Sequence, residues 1–177
     1  ADWSFGIQDD NLQKVVDEVR GKGAQVVVLL SHNGMDVDLK MASRVRGIDA
    51  IFGGHTHDGV PVAVPVANPG GKTLVTNAGS NSKFLGLMDF DVKGGKVADF
   101  RYRLLPIFAN QLKADPEMDA LITKVRAPYE AKLAEKLAVT DGMLYRRGNF
   151  NGSWDQLICD ALMDVQGAEI AFSPGFR

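Results

Sequence analysis

Three histidines are the residues of this sequence whose type and spacing could do chemistry. His32 lies in the motif SHNG, and His55 and His57 lie in GGHTHDG; the 177-residue chain has no other histidine. Imidazole is a common ligand for divalent metals, and two histidines separated by one residue in a glycine-flanked loop can face adjacent metal positions. The pattern therefore predicts a metal site.

Each histidine motif directly follows a short apolar run. Residues 24–30 (AQVVVLL) and 48–52 (IDAIF) are typical of strands buried on both faces of a parallel sheet. Between them a helix is predicted from Asp36 to Gly47, with an apolar face of Val37, Met41, Ala42 and Val45. This strand, helix and strand form a crossover that places both histidine loops at the carboxyl edge of the sheet, where ligands gather.

Other elements are predicted around this unit. The first is an N-terminal helix with Asp10 as cap and Gln13 reaching back, and a hairpin over 88–104 turns at KGGK. A charged helix with Asp115 as cap and Pro116 at its first position follows and is broken near Pro128. The last two are a helix capped by Ser153 and a strand from Glu169 to Phe172. A boundary is expected near Thr140.

Composition excludes some classes of partner. The net charge of -2 gives no support for nucleic-acid binding, because phosphate recognition needs a basic face. The longest apolar run, Val26 to Leu30, is far shorter than the roughly 20 residues of a membrane-spanning helix, so no membrane partner is expected. Cys159 is the only cysteine, so an intrachain disulfide cannot form.

Carboxylates near the histidines decide between one metal ion and two. Three neutral imidazoles could hold one zinc with an open position, whereas a dinuclear hydrolase also needs bridging carboxylates. Asp36, Asp38 and Asp58 are close in sequence. Asp36 and Asp38 lie at a helix start, where carboxylates complement the helix dipole, so we expect them to be structural.

The motifs VVVLLSHNG, IFGGHTHDG and TNAGSNSKFLG together resemble the second half of the metallophosphoesterase domain of the 5'-nucleotidase family. Two departures favour the SoxB-type thiosulfohydrolases of the bacterial Sox sulfur-oxidation system. The 5'-nucleotidases usually have leucine at the position of Asn33, and their loop NGGGIR corresponds to SPGFR at the end of this chain. The resemblance covers nearly the whole sequence.

The resemblance implies a fold and three parts. The fold class is α/β: residues 1–110 correspond to the second half of a metallophosphoesterase-type sandwich, 111–140 to a linker helix, and 141–177 to the start of a C-terminal substrate domain. An Asp-x-His pair, a bridging Asp and a catalytic Asn-His pair would precede this segment. The chain is therefore expected to be an internal fragment that is inactive on its own.

The resemblance also implies a site and a reaction. Two manganese ions would be bound, one by His32 and His55 and the other by His57, with Asn33 and Arg177 binding substrate. The whole enzyme would release sulfate from an S-thiosulfonate on a cysteine of a sulfur carrier protein in the periplasm. Two alternatives stay open: a 5'-nucleotidase or 2',3'-cyclic-nucleotide phosphodiesterase with the same metals, and a metal-binding module without catalysis.

Overall fold

The computed structural model describes residues 6–146 and 152–173, which form a mixed α/β structure. The chain divides into two compact units, Ala1–Lys113 and Ala114–Arg177. The three-part division at 110 and 140 depends on the resemblance and stays a prediction. Within the described ranges, no helix is both long enough and apolar enough to cross a membrane.

A four-stranded sheet organises the first unit. The elements of this part of the chain are α1 Asp9–Gly21, β1 Val28–Leu30, α2 Met35–Arg44, β2 Ala50–Gly53, β3 Val64–Asn68 and β4 Gly71–Asn77. The strand order in the sheet is β1, β2, β4, β3. Strands β1, β2 and β4 are parallel, and β3 runs antiparallel to β4. Helix α2 joins β1 to β2, so the predicted crossover is confirmed.

The predicted hairpin is also confirmed, as β5 (Phe84–Lys93) and β6 (Lys96–Pro106). Its partly buried aromatic side chains pack against a small core of Ala50, Ala63 and Leu74 on one face of the sheet. The larger core lies where α1 and α2 cover the sheet. It contains Val16, Met41, Ala42, Val45, Ile48, Ile51 and Val75, each at most 6% exposed, and full burial of a side chain such as Ile51 contributes roughly 1.5–3 kcal/mol.

Helices form the second unit. Helix α3 (Pro116–Arg126) begins as predicted, since Asp115 Oδ1 accepts hydrogen bonds from the backbone N–H groups of Glu117 and Met118. A 3-10 turn over Ala127–Tyr129 contains Pro128 and confirms the predicted break. Helices α4 (Glu130–Leu133) and α5 (Ser153–Gln166) follow, and Gly167 ends α5 in the left-handed conformation.

Several local predictions were wrong. Strand β1 is not covered on both faces, because Val28 and Leu30 are 37% and 78% exposed. Among the described strands it pairs with β2 alone, so it forms an edge of this sheet. Residues 169–172 form no strand, and Phe172 is 87% exposed. A strand needs a partner for its backbone groups, and among the described residues none pairs with this segment.

Two predicted caps were also wrong. Helix α1 starts at Asp9, so Asp10 lies inside its first turn, and Gln13 exchanges hydrogen bonds with the Arg46 backbone instead. Ser153 is the first residue of α5, and its hydroxyl oxygen accepts a bond from Tyr145 N–H. Gln13 is thus engaged by a residue 33 positions away and Ser153 by one eight positions away.

Candidate metal centre

The two histidine loops leave the sheet at the same edge because β1 and β2 are parallel neighbours. The Ser31 N–H donates to the Phe52 carbonyl over 3.0 Å and extends the pairing by one residue into the loops. Past this point the rings of His32 and His55 meet edge to face, with centroids 5.2 Å apart and an interplanar angle of 72°. Both side chains are exposed, so their nitrogens are accessible to an ion from solvent.

Two of the four described non-glycine residues with positive φ angles lie in the second loop. His55 and His57 have φ angles of 74° and 60°, in the left-handed region that non-glycine residues rarely adopt. Such a conformation costs on the order of 1–2 kcal/mol for an ordinary residue. Among the described ring contacts, none joins His57 to the His32–His55 pair, so the arrangement brings two of the three predicted ligands together.

Thr56, between the two strained histidines, ties the second loop to helix α2. Its hydroxyl oxygen accepts a hydrogen bond from Met35 N–H over 3.1 Å and donates to Asp58 Oδ2 over 2.5 Å. Met35 is the first residue of α2, and the preceding Gly34 has no side chain with which to cap the helix. The hydroxyl of Thr56 therefore serves as a cap supplied by another loop.

A second chain of hydrogen bonds starts at the first loop. The Asn33 side-chain amide donates to Ser31 Oγ over 3.0 Å, and the Ser31 hydroxyl donates to Asp38 Oδ1 over 2.5 Å. Asp38 is fully buried, and burial raises the pKa of its carboxyl group above the usual 3.8. The Asp38 carboxyl group thus lies beneath the loop, and the amide of Asn33 lies exposed at its mouth.

Glycines permit the close approach of the two loops. A Cβ at Gly53 would lie 2.5 Å from Asp38 Oδ2 and 3.2 Å from the Thr76 carbonyl oxygen. A Cβ at Gly54 would lie 3.1 Å from His32 Nδ1. Any larger residue at Gly53 would displace either the carboxyl group below the site or the backbone of β4.

The donor chemistry fits part of a metal site. Two neighbouring, accessible imidazoles suit a borderline divalent ion, and His57 in the same loop suits a second one. Over residues 6–146 and 152–173, however, no group of three or more His, Cys, Asp or Glu side chains is placed to hold an ion. Asp38 is not available as a ligand because it is buried and bonded to Ser31. Further ligands would have to come from outside these residues.

The predicted site residues fall into three groups. His32, His55 and Asn33 lie at one edge of the sheet, and His57 follows in the strained loop, so their assignment as ligands stays a prediction. Arg177 lies outside the described residues. Thr56 and Ser31 were not among the predicted site residues; their only local signal is a hydroxyl residue immediately beside a histidine.

Comparisons with known proteins were consistent with this architecture. The solved structure of Thermus thermophilus sulfate thiohydrolase SoxB is 36% identical and superposes with a TM-score of 0.77, covering 93% of this chain and 30% of that one. The 5'-nucleotidase precursor of the same organism is 26% identical with a TM-score of 0.79, covering 93% of this chain and 36% of the other.

Sequence comparison gave related results. The trifunctional nucleotide phosphoesterase YfkN of Bacillus subtilis is 35% identical over 118 residues, which is 65% of this chain and 8% of YfkN. The chain spans about 30% of the length of the curated mammalian 5'-nucleotidases that it matches. No family model matches the chain.

The relatives found in both ways are hydrolases, so the chain is related to a class of hydrolytic enzymes. More narrowly, it is related to the 5'-nucleotidase/SoxB superfamily and matches a part of the length of its members.

Proposed function

We propose that the protein containing these residues is a metal-dependent thiosulfohydrolase of the SoxB type. The observation that carries the proposal is the 36% identity with the sulfate thiohydrolase structure, against 26% with the nucleotidase structure from the same organism, each over 93% of this chain. Asn33 supports it, because a polar amide stands where the resemblance places leucine in nucleotidases.

In this proposal the substrate is an S-thiosulfonate on a cysteine of a sulfur carrier protein in the periplasm, and the product is sulfate. His32 and His55 bind one manganese ion and His57 binds another. Bound divalent ions supply an activated water and offset the charge that grows on the sulfonate oxygens. The resemblance implies that the remaining ligands belong to motifs that this sequence does not contain, so these 177 residues alone are expected to bind manganese weakly and to be inactive.

The residues of this chain hold and orient the reacting groups. The Asn33 amide is fixed by its bond to Ser31 Oγ at the mouth of the site, where it can hydrogen-bond a polar substrate. Arg177 would add a guanidinium group, whose planar fork suits a tetrahedral oxyanion. The exposed imidazoles leave the site open on the solvent side, as access by a large carrier protein requires.

The second candidate is a nucleotidase or cyclic-nucleotide phosphodiesterase with the same metals. The 35% identity with YfkN favours it, although that match covers only 65% of the chain. The two candidates differ in the substrate and share the metal site.

Product release separates the candidates. The full-length protein loaded with manganese should release sulfate from a thiosulfonate-bearing carrier or peptide and little phosphate from AMP or 2',3'-cyclic AMP. Faster phosphate release would overturn the thiosulfohydrolase proposal. Substitution His55→Ala should abolish manganese binding and turnover together; full manganese occupancy in this variant would remove His55 from the ligand set.

A further inference from the structure

Asp38 contacts both histidine loops without being placed to bind a ligand itself. Asp38 is the fourth residue of α2 and is 0% exposed. Its carboxyl group lies beside the ends of β1 and β2. Its Oδ1 accepts the hydroxyl hydrogen of Ser31, the residue before His32. Its Oδ2 packs against Gly53, the second residue before His55, so closely that a Cβ there would be only 2.5 Å away.

This burial is unfavourable for stability and calls for an explanation. Among the described residues, Oδ2 is the one buried side-chain oxygen or nitrogen without a hydrogen-bond partner. An unsatisfied buried polar atom is costly, and an apolar side chain of the same size would pack in this position without that cost. A carboxyl group that is retained under such a penalty is expected to serve the geometry above it.

We propose that Asp38 is the positioning residue of the metal centre: it sets the distance between the loop of His32 and the loop of His55. One oxygen fixes the first loop through Ser31, and the other limits how closely Gly53 and the second loop approach. The bond from Ser31 N–H to Phe52 O also joins the same two segments. Loss of the carboxyl group therefore lets the two imidazoles change their separation.

The same contacts give Asp38 a role at the mouth of the site. Ser31 Oγ accepts bonds from both the backbone N–H and the side-chain amide of Asn33, while its own hydrogen is directed to Asp38. Asp38 thus orients Asn33 through Ser31. The geometric part of the proposal stands on the contacts alone, and its consequence for metal binding rests on the proposed function.

The test compares three variants of the full-length protein. Asp38→Ala removes both contacts. Asp38→Asn keeps the size of the side chain and an oxygen that accepts from Ser31, so it should rescue the site if geometry rather than charge matters. Asp49→Ala is the matched control, because Asp49 lies at the opposite end of β2, where it accepts from Val27 N–H and pairs with Arg20.

Manganese affinity, followed by the loss of the spectrum of free Mn²⁺ in electron paramagnetic resonance, gives the first readout. We expect Asp38→Ala to bind about tenfold or more weakly, as is usual when support behind a metal ligand is lost. Asp38→Asn should stay within about twofold of the unsubstituted protein, and Asp49→Ala should lower thermal stability without changing the affinity of the folded protein. Unchanged affinity in Asp38→Ala, or equally weak binding in Asp38→Asn, would overturn the proposal.

A metal-free readout separates this inference from the proposed function. In nuclear magnetic resonance spectra of the metal-free protein, Asp38→Ala should shift the ring signals of both His32 and His55, and Asp49→Ala should leave them in place. Unmoved ring signals would refute the positioning role even if manganese binds. If the unsubstituted protein binds no manganese while the ring signals move in Asp38→Ala, the metal proposal fails and the positioning role is upheld.

If Asp38→Ala does not fold, Ser31→Ala provides the same test from the other end of the hydrogen bond. It removes one hydroxyl and leaves the carboxyl group in place. Weaker manganese binding and a shifted His32 ring are expected, and the absence of both changes would again overturn the proposal.

Discussion

Replacement of Thr56 by valine tests whether the second histidine loop is held by helix α2. Valine keeps the shape of threonine, and one methyl group can still pack against Gly34, where a Cβ would lie 3.0 Å from Thr56 Cγ2. Only the hydroxyl is lost, together with its bonds to Met35 N–H and Asp58. The substitution therefore separates the cap from the packing.

The magnitude follows from the geometry of the cap. Removal of a side-chain cap from a helix N-terminus costs about 1 kcal/mol, with a range of roughly 0.5–2. Asp58 is exposed and regains water in place of the Thr56 hydroxyl, so its contribution to the change is small. A loss of about 1 kcal/mol raises the population of the unfolded state about fivefold at 25 °C.

Urea denaturation of Thr56→Val against the unsubstituted protein measures this loss. Thr56→Ser is the matched control, because it keeps the hydroxyl and should restore most of the free energy of unfolding. Hydrogen exchange at the Met35 amide should speed up in Thr56→Val alone. Equal stability of all three proteins, or unchanged exchange at Met35, would refute the role assigned to Thr56.

Three further predictions concern other parts of the same unit. The substitution Arg20→Ala should lower the free energy of unfolding by about 2–3 kcal/mol in denaturant titrations. The guanidinium group that is lost pairs with Asp49 and donates to three backbone carbonyls, those of Gly47, Ala24 and Gln25. The variant Arg20→Lys should recover only part of the lost free energy. The substitution His57→Gly should raise the free energy of unfolding of the metal-free protein by up to about 1 kcal/mol, because glycine adopts the left-handed conformation without steric strain. The substitution His32→Gly should lower the same free energy in thermal denaturation. The pKa of Asp38 is raised above 3.8 chiefly by burial, so the folded protein binds the proton more tightly than the unfolded chain does. The free energy of unfolding of the unsubstituted protein, relative to that of Asp38→Asn, should therefore decrease as pH rises above about 3.8 and become constant above the raised pKa. A relative free energy that does not change with pH would contradict this.

The crossover could be predicted because its signals are local. Short apolar runs end at glycines or at a histidine motif, and the helix between them has its apolar residues on one face. The hairpin was similarly clear from alternation around KGGK. Residues 71–77 were missed although they form β4, one of the two central strands, because Thr73, Thr76 and Asn77 interrupt the apolar run. The hydroxyls of Thr73 and Thr76 donate hydrogen bonds to the carbonyls of Ile48 and Ile51. These bonds form only when the sheet is folded, so the sequence does not reveal them.

The candidate site was predictable only as far as topology determines it. Parallel neighbours bring their carboxyl ends together, so the meeting of His32 and His55 follows from the order of the elements. The parts played by Thr56 and Asp38 depend on contacts between segments that are separate in sequence. Asp38 was expected to complement the helix dipole, whereas its carboxyl group is directed inward beneath the site.

The two edges of the sheet differ in a way that supports a functional carboxyl edge without appeal to any relative. At the amino edge, Asp49 accepts from Val27 N–H and pairs with Arg20, whose remaining donors are bound by backbone carbonyls. At the carboxyl edge, two histidines have left-handed backbones and a buried carboxyl oxygen lacks a partner among the described residues. Local rules are broken together at functional sites more often than elsewhere, because strain there is retained for geometry. The other two described left-handed non-glycine residues, Asn81 and Ser82, follow β4, which is parallel to β2. The unfavourable features of the described residues therefore lie in loops that follow parallel strands, and two of them are the histidines that the sequence singles out.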